Sequence, residues 1–457
     1  MLFQSQPFIL LFLPVTLGLY YLCAGNRTAR QLVVVVASLI FYGAWDPRFV
    51  PLLVALTFVN WLIGQLHETN KAADWPVIGI MLNLLMLGVC KFANFFAASA
   101  AAILGMAFSP WDIILPLGIS FFVFQKISYL IDLRRGHAHA YPLLDFFMFV
   151  TFFPQLIAGP IVRHNEIIDQ FRADPRGPQT AENISRGLIL FTIGLAKKLG
   201  IADHVSQVAD RLFEQAATGA LSAAEGWAAA GAFTLQIYFD FSGYSDMAIG
   251  LGLMFGLRFP FNFDAPYRAT SIREFWRRWH MTLSRFLRDY LYIPLGGNRG
   301  GAIAQARNVI VTMLLAGLWH GANWTFVVWG GVHGLALAIN GAWARAALPM
   351  PKILGWALTL LFVMACWVLF RAPNFTTAAT ILRGMAGLEG LGHVRLDHAA
   401  AFVIGTGIAL IGPTSQEFAL HRFKPRRWAA TVAAIALAVA ILQSGTRTPS
   451  EFIYFQF

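Results

Sequence analysis

The chain alternates long apolar runs with short connections that are polar and often basic. Residues 7–24, 31–45, 49–66 and 428–442 carry almost no charge, and each approaches the ~20 apolar residues that cross a bilayer as a helix. Counting comparable runs predicts roughly 11 spans, some interrupted by Gly, Pro or a charge. The first run has no basic leader and further spans follow at once, so it reads as a span and not as a cleaved signal. The expected fold is an all-α polytopic membrane protein. Residues 1–457 form one membrane-embedded domain, and 443–457 a short, outward-facing aromatic tail.

Composition supports this reading and narrows it. Hydrophobic residues make up 57% of the chain and charged residues 12%, about half the ~25% charged content of soluble domains. The longest polar segment, 163–186, is too short for a separate soluble domain. The net charge of +11 is explained by Lys and Arg retained in cytoplasmic loops, so no nucleic-acid partner is expected; the partner surface is the lipid bilayer. Arg27 and Arg30 follow the first span, Lys71 the third, and Arg134 with Arg135 the fifth. This alternation predicts a periplasmic N-terminus. Arg422, Lys424, Arg426 and Arg427 precede the last run, which predicts a periplasmic C-terminus as well. The pattern breaks after Leu143: Pro154 and Gly159-Pro160 interrupt the run, and basic residues resume at Arg163. A full crossing would leave those arginines outside, so a re-entrant segment lining a cavity is expected. Cys23, Cys90 and Cys366 sit singly in apolar runs without metal-ligand spacing, and no metal site is expected.

Three polar stretches carry candidate chemistry. Residues 271–288 interleave Arg277, Arg278, Arg285 and Arg288 with Phe275, Trp276, Trp279 and Phe286, the pattern of an amphipathic helix in the membrane interface. Anchoring to anionic lipid and steering a phosphate-bearing donor are both open for Arg277, Arg278 and Arg285. Residues 236–246 place Asp240, Tyr244 and Asp246 in apolar surroundings, where polar groups require partners or water. A six-residue spacing puts the two carboxylates on different helix faces. They either hold helices together or line a substrate tunnel. The third stretch, Leu318-Trp319-His320-Gly321-Ala322-Asn323-Trp324, sets an ionisable residue after a charge-free run, which points to function. Neutral imidazole is a usable general base, contributing ~10²–10⁴-fold to rate. His333 lies too far along to share a local motif.

Taken together, these segments resemble the bacterial branch of the membrane-bound O-acyltransferase family. The matching strings are Pro154-Gln-Leu-Ile-Ala-Gly-Pro160-Ile-Val-Arg163, Phe239-Asp-Phe-Ser-Gly-Tyr-Ser-Asp246, Phe275-Trp-Arg-Arg-Trp-His280, Asp289-Tyr-Leu-Tyr-Ile-Pro-Leu-Gly-Gly-Asn-Arg299 and Trp319-His320-Gly-Ala-Asn-Trp324. The resemblance implies tilted helices around a central tunnel in the bacterial inner membrane. It implies an acyl-thioester donor, acetyl-CoA, entering from the cytoplasm, with no bound cofactor. It makes His320 the catalytic histidine and sets His280 on the reaction path, with His280, Asn323 or Tyr244 orienting the base or stabilising the oxyanion. Periplasmic acetyltransferase or esterase-like partner proteins would place the acetyl group on a secreted polysaccharide such as alginate. The tail Phe452-Ile-Tyr454-Phe-Gln-Phe457 resembles that of the small protein serving the D-alanine-transferring relatives, although its leading Phe is two residues before the tyrosine and not three. Tyr454 is thus a candidate acyl acceptor, or part of an interfacial aromatic belt. D-alanyl transfer and peptidoglycan O-acylation are near alternatives. From another class, a transporter or exporter of an acyl or glycan precursor would show paired interrupted helices in two halves, and the sequence has no such symmetry.

Overall fold

The computed structural model describes residues 1–395, 397–423, 427–446 and 452–455. Regular structure among these residues is helical. Among the described residues, five helices are long and apolar enough to cross a bilayer: Pro47–Thr69, Trp75–Leu104, Gly301–His320, Trp324–Arg345 and Lys352–Arg371. Their outer faces are apolar; Ile303 is 88% exposed and Leu354 47% exposed, a surface suited to lipid and not to water. Two of the other apolar runs appear as shorter pieces, whereas 428–442 lies within the 20-residue helix Arg427–Thr446. The run at 7–24 becomes a π-helical turn, Phe8–Phe12, followed by Leu13–Leu22. The run at 31–45 lies in the 17-residue helix Arg27–Gly43. Hydropathy registers how apolar a segment is; these interruptions decide whether it is one straight helix.

Contacts divide the chain into two compact units. The first comprises Met1–Gly194, Tyr244–Pro260 and Ala419–Pro449. Its core includes a phenylalanine cluster, with Phe8, Phe12 and Phe41 around Phe153. Buried Asp145 is held by Arg27 at 2.7 Å and Arg172 at 3.3 Å. Here the interrupted segment is visible: Leu143–Thr151 and Phe153–Leu156 are short helices, and every residue from 148 to 162 is buried. A nine-residue helix rises only about 13 Å, less than half the bilayer core of ~30 Å. The segment does not cross as one helix, and its irregular backbone is packed inside protein.

The second unit comprises Leu195–Gly243, Phe261–Phe418 and Ser450–Phe457. At its centre Gly301–His320 and Trp324–Arg345 form an antiparallel hairpin reversed by 321–323. Glycines permit the close approach: a Cβ at Gly330 would fall on the Met313 carbonyl oxygen, and one at Gly317 on that of Phe326. Small residues at helix contacts are how membrane helices pack. Gly330→Ala is therefore expected to cost about 1–3 kcal/mol by overpacking, read as earlier thermal loss of the monodisperse detergent-solubilised protein. Gly18→Ala, where nothing lies within 4 Å, should be neutral; equal losses in both variants would contradict the packing argument.

Residues 271–288 do not form the single interfacial helix expected from the sequence. They fold as Ile272–Arg278 and Met281–Leu287, separated by extended Trp279 and by His280 at φ +42°. The break follows from side chains that both have to be buried. Trp279 and His280 are 1% and 0% exposed, and the neighbouring loop clamps the turn: Met281 N–H donates to the Asn262 carbonyl at 3.0 Å, and Thr282 Oγ1 donates to Asn262 Oδ1 at 2.6 Å.

Candidate active site

His320 closes the helix Gly301–His320, at the turn of the hairpin, and is 3% exposed. Gly321, the next residue, is seated against Phe326, whose ring occupies the space of any Cβ there. The His320 ring is walled by aromatic side chains: Trp319 at 4.9 Å, Trp329 at 5.3 Å and Phe370 at 5.3 Å between centroids. His280 meets the same indole from another element, 6.2 Å from Trp319 and edge-on to Phe241 at 4.7 Å. Its left-handed backbone is uncommon for a residue with a Cβ, and such strain persists where surrounding structure enforces it. Burial pushes the His280 imidazole down to about 3, so it is neutral in the cytoplasmic and periplasmic pH range.

A third histidine extends the group. His333 is fully buried, its Nδ1 accepts the Trp276 indole N–H at 3.3 Å, and its ring lies 4.7 Å from Trp329. Accepting at Nδ1 places the proton on Nε2. Sequence spacing separated His333 from the motif around His320; one helical turn along Trp324–Arg345 rejoins them through Trp329. Three buried imidazoles among indoles make a site largely closed to solvent, the kind of surroundings in which proton transfer to and from a bound oxygen is favoured over hydrolysis.

The remaining candidates divide by surroundings. Asp240 Oδ1 is 2.6 Å from Lys198 Nζ, which also reaches Asp203 at 2.9 Å. Asp240 Oδ2 accepts the Ile453 N–H at 2.7 Å, tying the C-terminal tail to this unit. Asn323 caps the helix Trp324–Arg345, accepting from Thr325 N–H, while its Nδ2 donates to the Pro373 carbonyl at 2.9 Å; both ends of its amide help to shape the turn. Tyr244 and Asp246 are buried further along the helix Ala223–Met254, in the part belonging to the first unit, where Tyr244 stacks on Phe3. The Tyr454 backbone lies in the short turn Ile453–Phe455, and its side chain lies outside the described residues.

Arg278 is engaged with Glu274 at 2.8 Å and with the Asp264 carbonyl, and Arg285 is also engaged within the fold. Arg277 instead faces a cavity of about 340 Å³ with Arg273, Arg288 and Arg345. Arg345 is too distant in sequence from the others for spacing to have grouped them.

Residues 119–377 match the membrane-bound O-acyltransferase family, a span that contains His280, His320 and His333. A peptidoglycan O-acetyltransferase of Helicobacter pylori is 41% identical over 437 residues, covering 88% of this chain and 82% of its own length. A protein named a probable alginate O-acetylase, from Pseudomonas aeruginosa, is 46% identical over 398 residues, covering 84% and 75%. A teichoic acid D-alanyltransferase of Streptococcus thermophilus is more distant, at 30% over half of this chain. With apolar spans, paired buried histidines and these relatives in agreement, the chain belongs to the membrane-bound O-acyltransferase family and is a multi-pass membrane enzyme of that kind.

Proposed function

We propose that this enzyme passes an acetyl group from cytoplasmic acetyl-CoA across the bacterial inner membrane, for O-acetylation of a secreted polysaccharide of the alginate type by way of periplasmic partner proteins. The observation that carries the reading is the pair His280 and His320, both buried and both against Trp319. His320 accepts the proton of an acceptor hydroxyl as that oxygen attacks the thioester carbonyl. The C–O bond forms, the tetrahedral oxyanion collapses, and the C–S bond breaks. The proton on His320 then neutralises the leaving thiolate, so an ester and free coenzyme A thiol are the products. Neutral His280 is suited to orienting the base or donating to the oxyanion.

The tail supports an acceptor role for Tyr454. Phe452 packs on Phe241 at 5.8 Å, Phe241 contacts His280, and Ile453 is bonded to Asp240. Phe452, at the start of the turn Ile453–Phe455, is thus one aromatic side chain away from His280, and the next residue is bonded to the residue before Phe241. A tail at the outer mouth, with N- and C-termini periplasmic, would receive the acetyl group there and hand it on. Tyr454→Phe keeps the ring and removes the nucleophile; it is expected to abolish acetylation while leaving protein abundance unchanged. Unchanged acetylation would rule out the relay.

Peptidoglycan O-acetylation is the second reading, favoured by the Helicobacter pylori relative with its 88% coverage of this chain. Base-labile acetate measured separately on exopolysaccharide and on purified sacculi, with and without this chain, decides between them. Loss from exopolysaccharide alone supports the first reading, loss from sacculi alone supports the second, and loss from neither overturns both.

A further inference from the structure

Buried N–H groups in folded proteins usually find an acceptor, and the aromatic cluster around His320 holds donors that do not. Trp329 and Trp367 are 0% and 1% exposed, and neither indole Nε1–H has a hydrogen-bond partner among the described residues. His333 adds another: Trp276 occupies its Nδ1, and the proton left on Nε2 meets no acceptor among them. These neutral donors leave the cluster short of an acceptor oxygen. Neighbouring donors are already engaged. The Trp276 indole N–H is bonded to His333 at 3.3 Å, and the Asn323 amide donates to the Pro373 carbonyl at 2.9 Å.

Of the unused donors, the one on Trp329 sits beside the base. Trp329 lies on the facing helix of the hairpin, and its ring meets His320 at 5.3 Å, close to perpendicular. His333 joins the group through Trp329, at 4.7 Å. The Trp367 ring contacts Phe275, Trp279, Trp329 and Phe370, and no histidine among the described residues. The Trp329 indole is also held in place. Trp276 and Trp367, both at 5.9 Å, and Phe370 at 5.2 Å close on it. The next residue, Gly330, packs on the Met313 carbonyl with no room for a Cβ. A donor fixed in this way cannot swing to another acceptor, and it needs no reorganisation when charge develops in front of it.

We infer that Trp329 is a catalytic residue whose indole N–H binds the thioester carbonyl oxygen and stabilises it as the oxyanion. The inference rests on the acetyl-transfer reading above and deepens it by assigning the oxyanion a donor that sequence motifs did not single out. As the acceptor oxygen bonds to the carbonyl carbon, the carbonyl π electrons move onto the oxygen held by Trp329, and His320 takes the acceptor's proton. Collapse restores the C=O bond and breaks the C–S bond, and the thiolate takes the proton from His320. Trp329 itself loses no proton. Its bond to a neutral carbonyl is ordinary, whereas its bond to the oxyanion is charge-assisted and is strengthened by the low dielectric of a buried site. The gain therefore falls on the transition state and not on donor binding.

The N–H can be removed without emptying the space. Benzothienylalanine, introduced at Trp329 by codon suppression, keeps the outline of the indole and has sulfur in place of N–H. Acetyl transfer from acetyl-CoA is followed in membranes containing the full-length protein. Replacement at Trp329 should lower the single-turnover rate ~10²-fold or more, as loss of one oxyanion donor does. The half-saturating acetyl-CoA concentration should move by less than ~3-fold, and the pH profile should keep its shape because His320 still takes the proton. The same replacement at Trp367 should leave the rate within ~3-fold of wild type. Trp329→Phe should lose both rate and thermal stability in detergent, whereas the benzothienylalanine variant should lose rate alone. A wild-type rate after replacement at Trp329, an equal loss at Trp367, or an effect confined to half-saturation or to the pH profile would each overturn the inference. Transfer by wild type and by the Trp329 replacement at the same rate removes this assignment and leaves the proposed function standing. Absence of transfer from acetyl-CoA by the wild type overturns the proposed function and this assignment with it.

Discussion

His320→Ala is expected to lower acetyl transfer by ~10²–10⁴-fold, the range that a positioned general base contributes, while leaving the protein folded and its donor affinity intact. The ring fills a box made by Trp319, Trp329 and Phe370, so its removal leaves a small cavity lined by rigid indoles. The resulting loss of stability should be modest compared with the loss of rate. The two effects separate experimentally: thermal stability of the solubilised protein reports the cavity, and single-turnover transfer at saturating donor reports the base. His320→Gln, which fills more of the space but has no basic nitrogen, should recover stability without recovering rate. If His320→Gln transferred acetyl at the wild-type rate, the histidine would be packing and not a base.

The second large effect is expected at a buried ion pair that takes no part in the proton transfer itself. Lys198 is 4% exposed and bridges Asp240 and Asp203. Lys198→Met preserves the stem but leaves the buried Asp240 carboxylate without its cation. Breaking a buried ion pair from one side typically costs ~3–5 kcal/mol, because the remaining charge stays desolvated. Asp240 also holds the tail through the Ile453 N–H, so the variant should lose thermal stability and loosen the tail together. Adding Asp240→Asn to Lys198→Met removes the stranded charge and keeps an acceptor for Ile453. The double variant should therefore be more stable than the single one, as measured by thermal unfolding in detergent. Additive destabilisation would show that the lysine does not act through Asp240.

Much of this arrangement is legible in sequence because bilayer physics writes a coarse code. Charge-free runs announced membrane helices, and an ionisable residue after such a run announced His320. The break after Leu143 was also readable, because Pro154 and Gly159-Pro160 interrupt hydropathy where the basic residues resume. What sequence could not supply was relation across helices. His280 looked like one face of an amphipathic helix; the burial of Trp279 and His280 instead breaks that helix and turns both inward. His333 looked isolated until helical periodicity and the indole of Trp329 joined it to His320. The donor-steering arginines read from local density were Arg277, Arg278 and Arg285. Arg277 alone of these lines the cavity, and Arg345 joins it from a helix more than sixty residues later, a grouping that only antiparallel packing creates.

The central claim is covalent transfer, as opposed to passage of an intact thioester. It is tested most directly with acetyl-CoA carrying ¹⁴C in the acetyl group and ³H in the adenine, supplied to the cytoplasmic side of membranes containing this enzyme. The account predicts that the labels separate. ¹⁴C should appear in base-labile ester linkage on the protein, a partner or a glycan, while ³H remains as free coenzyme A, and His320→Ala should abolish the separation. Movement of both labels together to the far side, or their separation at full rate in His320→Ala, would contradict it.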